Sequence, residues 1–115
     1  MPPPYGPASG PVPGVVLSSR SRSRWRIHRG DPPAAQARQV FENLRRCLGA
    51  AGATFDDVTK LTYFVTDMAH MPAIREARAL HMPDDRLPAA SAVQVVSLVR
   101  PEFLMEVEAL AVVAE

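Results

Sequence analysis

Leu87-Pro88-Ala89-Ala90-Ser91-Ala92-Val93-Gln94-Val95-Val96-Ser97-Leu98 reads as a loop closed by Pro88 that runs straight into an apolar strand over residues 91–98. A second strand is expected over residues 104–113, with Glu106 and Glu108 two positions apart and therefore on one face. Arg100-Pro101-Glu102 joins the two. Two strands in sequence at the end of the chain make it the tail of a sheet, and the fold depends on what precedes them.

The first secure element upstream is a helix opening at Asp31-Pro32-Pro33, where Asp serves as N-cap and proline is tolerated in the first turn. Val40, Phe41, Leu44, Cys47 and Leu48 recur at helical spacing and form one apolar stripe, and Gly52 can end the helix in the left-handed conformation. Leu61, Tyr63 and Val65 alternate with Thr62, Phe64 and Thr66, a strand with both faces partly covered. Met71-Pro72 opens a second helix that turns Ile74, Ala77 and either Leu80 or His81 inward and fades near Met82-Pro83. The order β-(β)-α-β-α-β-β predicts an α+β domain, a mixed β-sheet with two helices packed on one face.

Residues 1–14 hold six prolines and three glycines and are expected to form an extended or disordered arm ahead of a single domain at 15–115. Val15-Val16-Leu17 can begin a strand, after which Arg20, Arg22, Arg24 and Arg26 alternate with Ser19, Ser21, Ser23 and Trp25. Residues 1–31 carry a charge of +4 and the remaining 84 residues a charge of −3, which the net +1 conceals. Any attraction to an anionic surface therefore belongs to the first thirty residues.

At 115 residues and 47% apolar content the chain fits one domain with a core, and a small domain of this kind often completes that core by oligomerisation. One cysteine, Cys47, excludes an intramolecular disulfide and a cysteine-based zinc site. His28, His70 and His81 lack ligand spacing, so no metal site is expected. His70 and His81 sit near the start and end of the second helix, where a cation is mildly favoured at the C-terminal end. No apolar run approaches a membrane span and the N-terminus is unlike a signal peptide, so the default location is cytoplasmic.

The helix segment Gln36-Ala37-Arg38-Gln39-Val40-Phe41-Glu42-Asn43-Leu44, Ala50-Ala51-Gly52, Asp57-Val58 with Lys60, the Pro88-to-Ser91 loop and the ending Glu106-Val107-Glu108-Ala109-Leu110-Ala111 together resemble the RidA (YjgF) family of small imine deaminases. The resemblance is strongest over residues 35–113. It implies a RidA/chorismate-mutase-like fold, three copies of which close a homotrimeric barrel, with ligand sites in clefts between subunits. It also implies a hydrolase that needs no cofactor: water attacks an imino acid, and ammonia and a 2-keto acid leave. In the family a loop arginine grips the substrate carboxylate, and its position here is Ala90, followed by Ser91 and Ala92 where a cysteine is frequent. The family's water-positioning glutamate matches Glu106, a helix asparagine matches Arg75, and Tyr5 is a candidate for an N-terminal tyrosine near the site. The family's Ser-Gly-Gln turn is not reproduced, since Arg20 follows Ser18-Ser19.

Alanine cannot form the charge-assisted bond that arginine makes, a loss of about 1.5–3 kcal/mol. Arg75, Arg86 and Arg100 are possible substitutes, with Arg86 the nearest upstream on the same loop. The expectation is a divergent family member that binds a small metabolite such as an imino or keto acid, with weak or absent imine (enamine) deaminase activity. The alternative is a non-catalytic interaction protein that uses the arginine-rich N-terminus on RNA or a protein. A solvated edge strand or arm is the favoured reading of that stretch, and nucleic acid is not the expected partner, because the acidic remainder repels phosphates.

Overall fold

A computed structural model describes residues 14–16, 19–20 and 31–113. The proline-rich arm, Tyr5, His28 and the Arg/Ser alternation beyond Arg20 fall outside the described residues. Among these residues five strands form one sheet: β1 (Gly14–Val16), β2 (Ser19–Arg20), β3 (Val58–Val65), β4 (Ala89–Gln94) and β5 (Met105–Val113). β5 pairs antiparallel with β1, β2 and β3, and β4 pairs parallel with β3. The sheet is therefore mixed, and β4 lies at its edge beyond β3.

Helix α1 (Pro33–Ala50) and helix α2 (Met71–Ala79) supply the core's other layer. The α1 stripe of Ala37, Val40, Phe41, Leu44 and Leu48 is fully buried against Leu61 and Val65 of β3 and Met105, Val107, Ala109 and Ala111 of β5. Cys47 is only half-buried, at the margin of that stripe. Asp31 is not the cap: Pro32 occupies that position in extended conformation, with no side-chain cap bond, and proline fills the first turn. Proline fixes the helical entry dihedral and has no amide to satisfy, so a capping carboxylate adds little there.

Gly52 does end α1, at φ 78°, a conformation that costs little without a Cβ. The Ala53 amide returns to the Leu48 carbonyl at 2.8 Å. Thr54 and Asp57 then form a capping box around the 3-10 turn Phe55–Asp57 and launch β3.

Gln36 is buried, and its amide joins α1 to the approach of β5. It donates to the Glu102 carbonyl at 2.9 Å and the Asp31 carbonyl at 3.2 Å, and accepts from the Leu104 amide at 3.0 Å. Those bonds satisfy backbone groups that have no sheet partner, and they set where β5, with Glu106, begins.

β4 is shorter than the apolar run 91–98 predicts. The last bond to β3 is Val95 N–H to Val65 O at 2.8 Å, and beyond it the Thr66 amide turns to Leu104. β3 offers nothing further to pair with, so residues 96–98 leave the sheet despite their β-forming side chains. Of the two inward candidates on the second helix, His81 packs inward and Leu80 is exposed.

Candidate functional site

Strand register decides which of the expected site residues can meet. Leu61 pairs with Ala90 and Tyr63 with Ala92, while Thr62 pairs with Ser91. Leu61, Tyr63 and Val65 point toward the helices, so Ala90 and Ala92 share that side, and Ser91 shares the opposite, open face with Lys60, Thr62 and Phe64. The Lys60 ammonium donates to the Ser91 hydroxyl at 2.7 Å across that open face. On the other flank of β3, Phe64 pairs with Glu106 and Thr62 with Glu108, so both glutamates belong to the open face, half-buried.

Ala90 and Glu106 therefore lie on opposite sides of the sheet. They are also three residues apart in register and separated by β3, about 14 Å given strand rise and spacing. One copy of the chain does not bring them together. The backbone of Arg20, at the position where a glycine turn was expected, lies in register opposite Glu106.

Arg86 ends the 3-10 turn Asp84–Arg86 and is exposed, and Arg100 is drawn to Glu102 at 3.7 Å. Arg75 is exposed on α2. Among the described residues, the arginine that enters the protein is Arg78, whose side chain is only 17% exposed. Its Nε is buried without a hydrogen-bond partner, and so is the Tyr63 hydroxyl. Burial raises the Tyr63 phenol above its ordinary range, against the pull of the Arg78 and then the Arg75 guanidinium. Arg78 is thus close enough to stabilise the phenolate but does not meet hydrogen-bonding geometry with the hydroxyl. An unsatisfied buried donor costs about 1–3 kcal/mol, so two neighbouring ones call for a reason. A signal for Arg78 was present in the sequence: Ile74, Ala77, Arg78 and His81 are spaced i, i+3, i+4 and i+7, one helical stripe.

A separate cleft of about 410 Å³ lies at the far end of α1, lined by Arg45, Leu48, Thr54, Phe55, Asp56 and His81. His81 stacks on Phe41 with ring centres 6.0 Å apart and tilts over Phe55 at 4.9 Å. Burial lowers its pKa, Glu42 opposing and Arg45 adding to the shift, which disfavours the helix-end cation expected there. None of the residues singled out on β4 and β5 lines this cleft. Among the described residues no group of three or more His, Cys, Asp or Glu side chains could hold a metal ion. No helix among them is long and apolar enough to cross a membrane.

Residues 19–113 match the family model described as Endoribonuclease L-PSP. The chain is 41% identical over 85 residues to 3-aminoacrylate deaminase RutC of Acinetobacter baylyi, covering 74% of this chain and 65% of RutC. It thus spans a little under two thirds of that relative. RidA from the Antarctic bacterium Psychrobacter sp. PAMC 21119 superposes with a TM-score of 0.76 at 27% identity, over 97% of this chain and 93% of that one. Rv2704 of Mycobacterium tuberculosis, a member of the YjgF/YER057c/UK114 family, gives 0.67 at 33% identity over 87% and 75%. With its order of elements, its two helices on one face of a mixed sheet and a match over nearly the whole described domain, the chain belongs to the RidA (YjgF) family.

Proposed function

We propose that the protein binds a small imino or keto acid in a cleft completed by a second subunit of a homotrimer, and that its imine (enamine) deaminase activity is weak or absent. The carrying observation is the placement of β4. All six of its residues are exposed, and Ala90 stands across the sheet from Glu106. A site that uses both positions needs β4 of one copy against the β5 face of another. Val96 is fully exposed, and Val93, Val99, Leu110 and Val112 are also uncovered, apolar surface of the sort an assembly removes from water.

In that cleft Glu106 is the group placed to orient water. Water adds to the carbon of a C=N bond, the nitrogen takes up protons, and the C–N bond breaks to give ammonia and a C=O product. The deaminase name of RutC supports that class of substrate. Ala90 offers the substrate only a methyl group, and losing a charge-assisted carboxylate contact is a loss of roughly ten- to several-hundredfold in turnover. A base without an oriented substrate accelerates little. The protein would work in the cytoplasm on a diffusible metabolite, without a cofactor.

The deciding experiment supplies 2-iminobutanoate, generated in situ, and follows its hydrolysis beside an arginine-bearing homologue. Turnover at least tenfold below the homologue is expected; equal turnover contradicts the loss of catalysis. Light scattering should give three times the 12.5 kDa chain mass, and a stable monomer at micromolar concentration contradicts the shared cleft. Binding of RNA that disappears when residues 1–30 are removed, with no binding of small acids, would favour the non-catalytic alternative.

A further inference from the structure

Arg78 occupies a place on α2 that its apolar stripe would give to an aliphatic side chain, one turn beyond the fully buried Ile74. Its only counter-charge among the described ion pairs is Asp84 at 3.8 Å, a residue 87% exposed and therefore weakly held. Beside it Tyr63 is 3% exposed, and both its hydroxyl and the Arg78 Nε lack hydrogen-bond partners. The Arg78 Nε–H can only donate and the Tyr63 hydroxyl can donate as well as accept, so one acceptor placed between them would satisfy both. Tyr63 is in register with Ala92 and Leu61 with Ala90, on the same side of the sheet, where two methyl groups leave the edge strand uncrowded.

We infer that Arg78, aided by the Tyr63 hydroxyl and by Arg75 one turn earlier, is the anion-binding subsite of this chain and takes the carboxylate of a small 2-oxo or 2-imino acid beside β4. The inference rests on the ligand cleft proposed above and names the group that reads the ligand's charge there. A planar guanidinium fork fits a carboxylate in two parallel bonds, and a carboxylate offers acceptors only. The ligand replaces Asp84 as partner, so the subsite exchanges one carboxylate for another, which favours a singly charged group over a phosphate dianion. Supplied from α2 instead of from position 90, the clamp holds the acid in a different attitude toward Glu106. Binding and turnover are thereby separated: the chain keeps affinity for the acid while catalysing its hydrolysis poorly.

The test titrates 2-oxobutanoate into the full chain by NMR or calorimetry. Arg78→Met should weaken binding about ten- to a hundredfold, Tyr63→Phe by several-fold, and Arg86→Gln not at all. Arg78→Lys, which retains charge and loses the fork, should fall between the first variant and the native chain. Should Arg78→Met fail to fold, the Arg78 Nε–H resonance of the native protein reports instead: it shifts on addition of 2-oxobutanoate if the subsite is real. Native-like affinity in Arg78→Met, or an unmoved Nε–H signal at saturation, overturns the inference and leaves the ligand cleft standing. A native chain that binds no 2-oxobutanoate overturns the cleft reading and this inference with it.

Discussion

β4 and β5 flank the same strand and are spelled in similar residues, yet they have opposite fates. Every second side chain of β5 from Met105 to Ala111 is buried under α1 and its neighbours, while no residue of β4 is buried. The difference lies chiefly in what covers each strand, since both are rich in Ala and Val and β propensity depends on such context. β5 sits under the helices with three strands bonded to it. Among the described residues β4 has one neighbour and an open edge, the situation proteins usually cover or charge. One strand builds the core, and the other stays outside it.

Core substitutions should separate the two strands most sharply. Met105→Ala, or Leu44→Ala beneath it, is expected to lower unfolding free energy by about 2–5 kcal/mol in a urea titration. Val93→Ala on β4 should cost the isolated chain under about 0.5 kcal/mol and act instead on the assembled mass. A large loss of monomer stability from Val93→Ala would show that β4 already belongs to the core.

Gln36→Ala tests how the start of β5 is held. It strips partners from the Leu104 amide and the Glu102 carbonyl, and a loss of about 1–3 kcal/mol is expected from thermal or urea melts. A neutral result would mean that water or a shifted backbone replaces the amide without difficulty.

Acid should act on the helix layer next. His81 titrates lower in the folded protein than its ordinary 6.5, so the unfolded chain binds the extra proton first. Stability that is complete above pH 6.5 should decline as pH falls below it, and His81→Phe should flatten that decline in melts between pH 7 and 5. An unchanged slope in the variant would exclude His81 as its source.

The smallest expected effect concerns Glu42, held near a pKa of about 2 chiefly by its hydrogen bond to Arg45, and also by Arg46. Its contribution is present above pH 4.5 and is lost as pH falls toward 2. Because these are solvent-screened pairs on a helix surface, Glu42→Gln should cost less than about 1 kcal/mol at neutral pH. The difference between variant and native chain should vanish near pH 2.

Much of β5 and α1 was legible because their periodicity and their burial agree. Leu44 and Leu48 read as core at helical spacing, Glu106 and Glu108 as one strand face, and Gly52 as a left-handed stop. What failed depended on partners. Residues 96–98 look like strand, but β3 has ended by then, and Asp31 looks like a cap, but the proline that follows it takes that position. The site was harder still. Alternation can place Ala90 and Glu106 on faces of their own strands, but only the pairing of β3 with both neighbours reveals that the faces are opposite. Arg78 sits on an apolar stripe, where a charged residue ordinarily reads as a solvated flank. Its burial beside Tyr63 is a tertiary fact.

The proposed loss of catalysis rests on Ala90, and a gain-of-function variant at that position puts it to the test. Ala90→Arg, assayed with 2-iminobutanoate against the native chain, should raise turnover by about ten- to several-hundredfold, the value of a charge-assisted carboxylate contact. Turnover unchanged by that arginine, in a variant that folds and assembles like the native protein, would contradict the account.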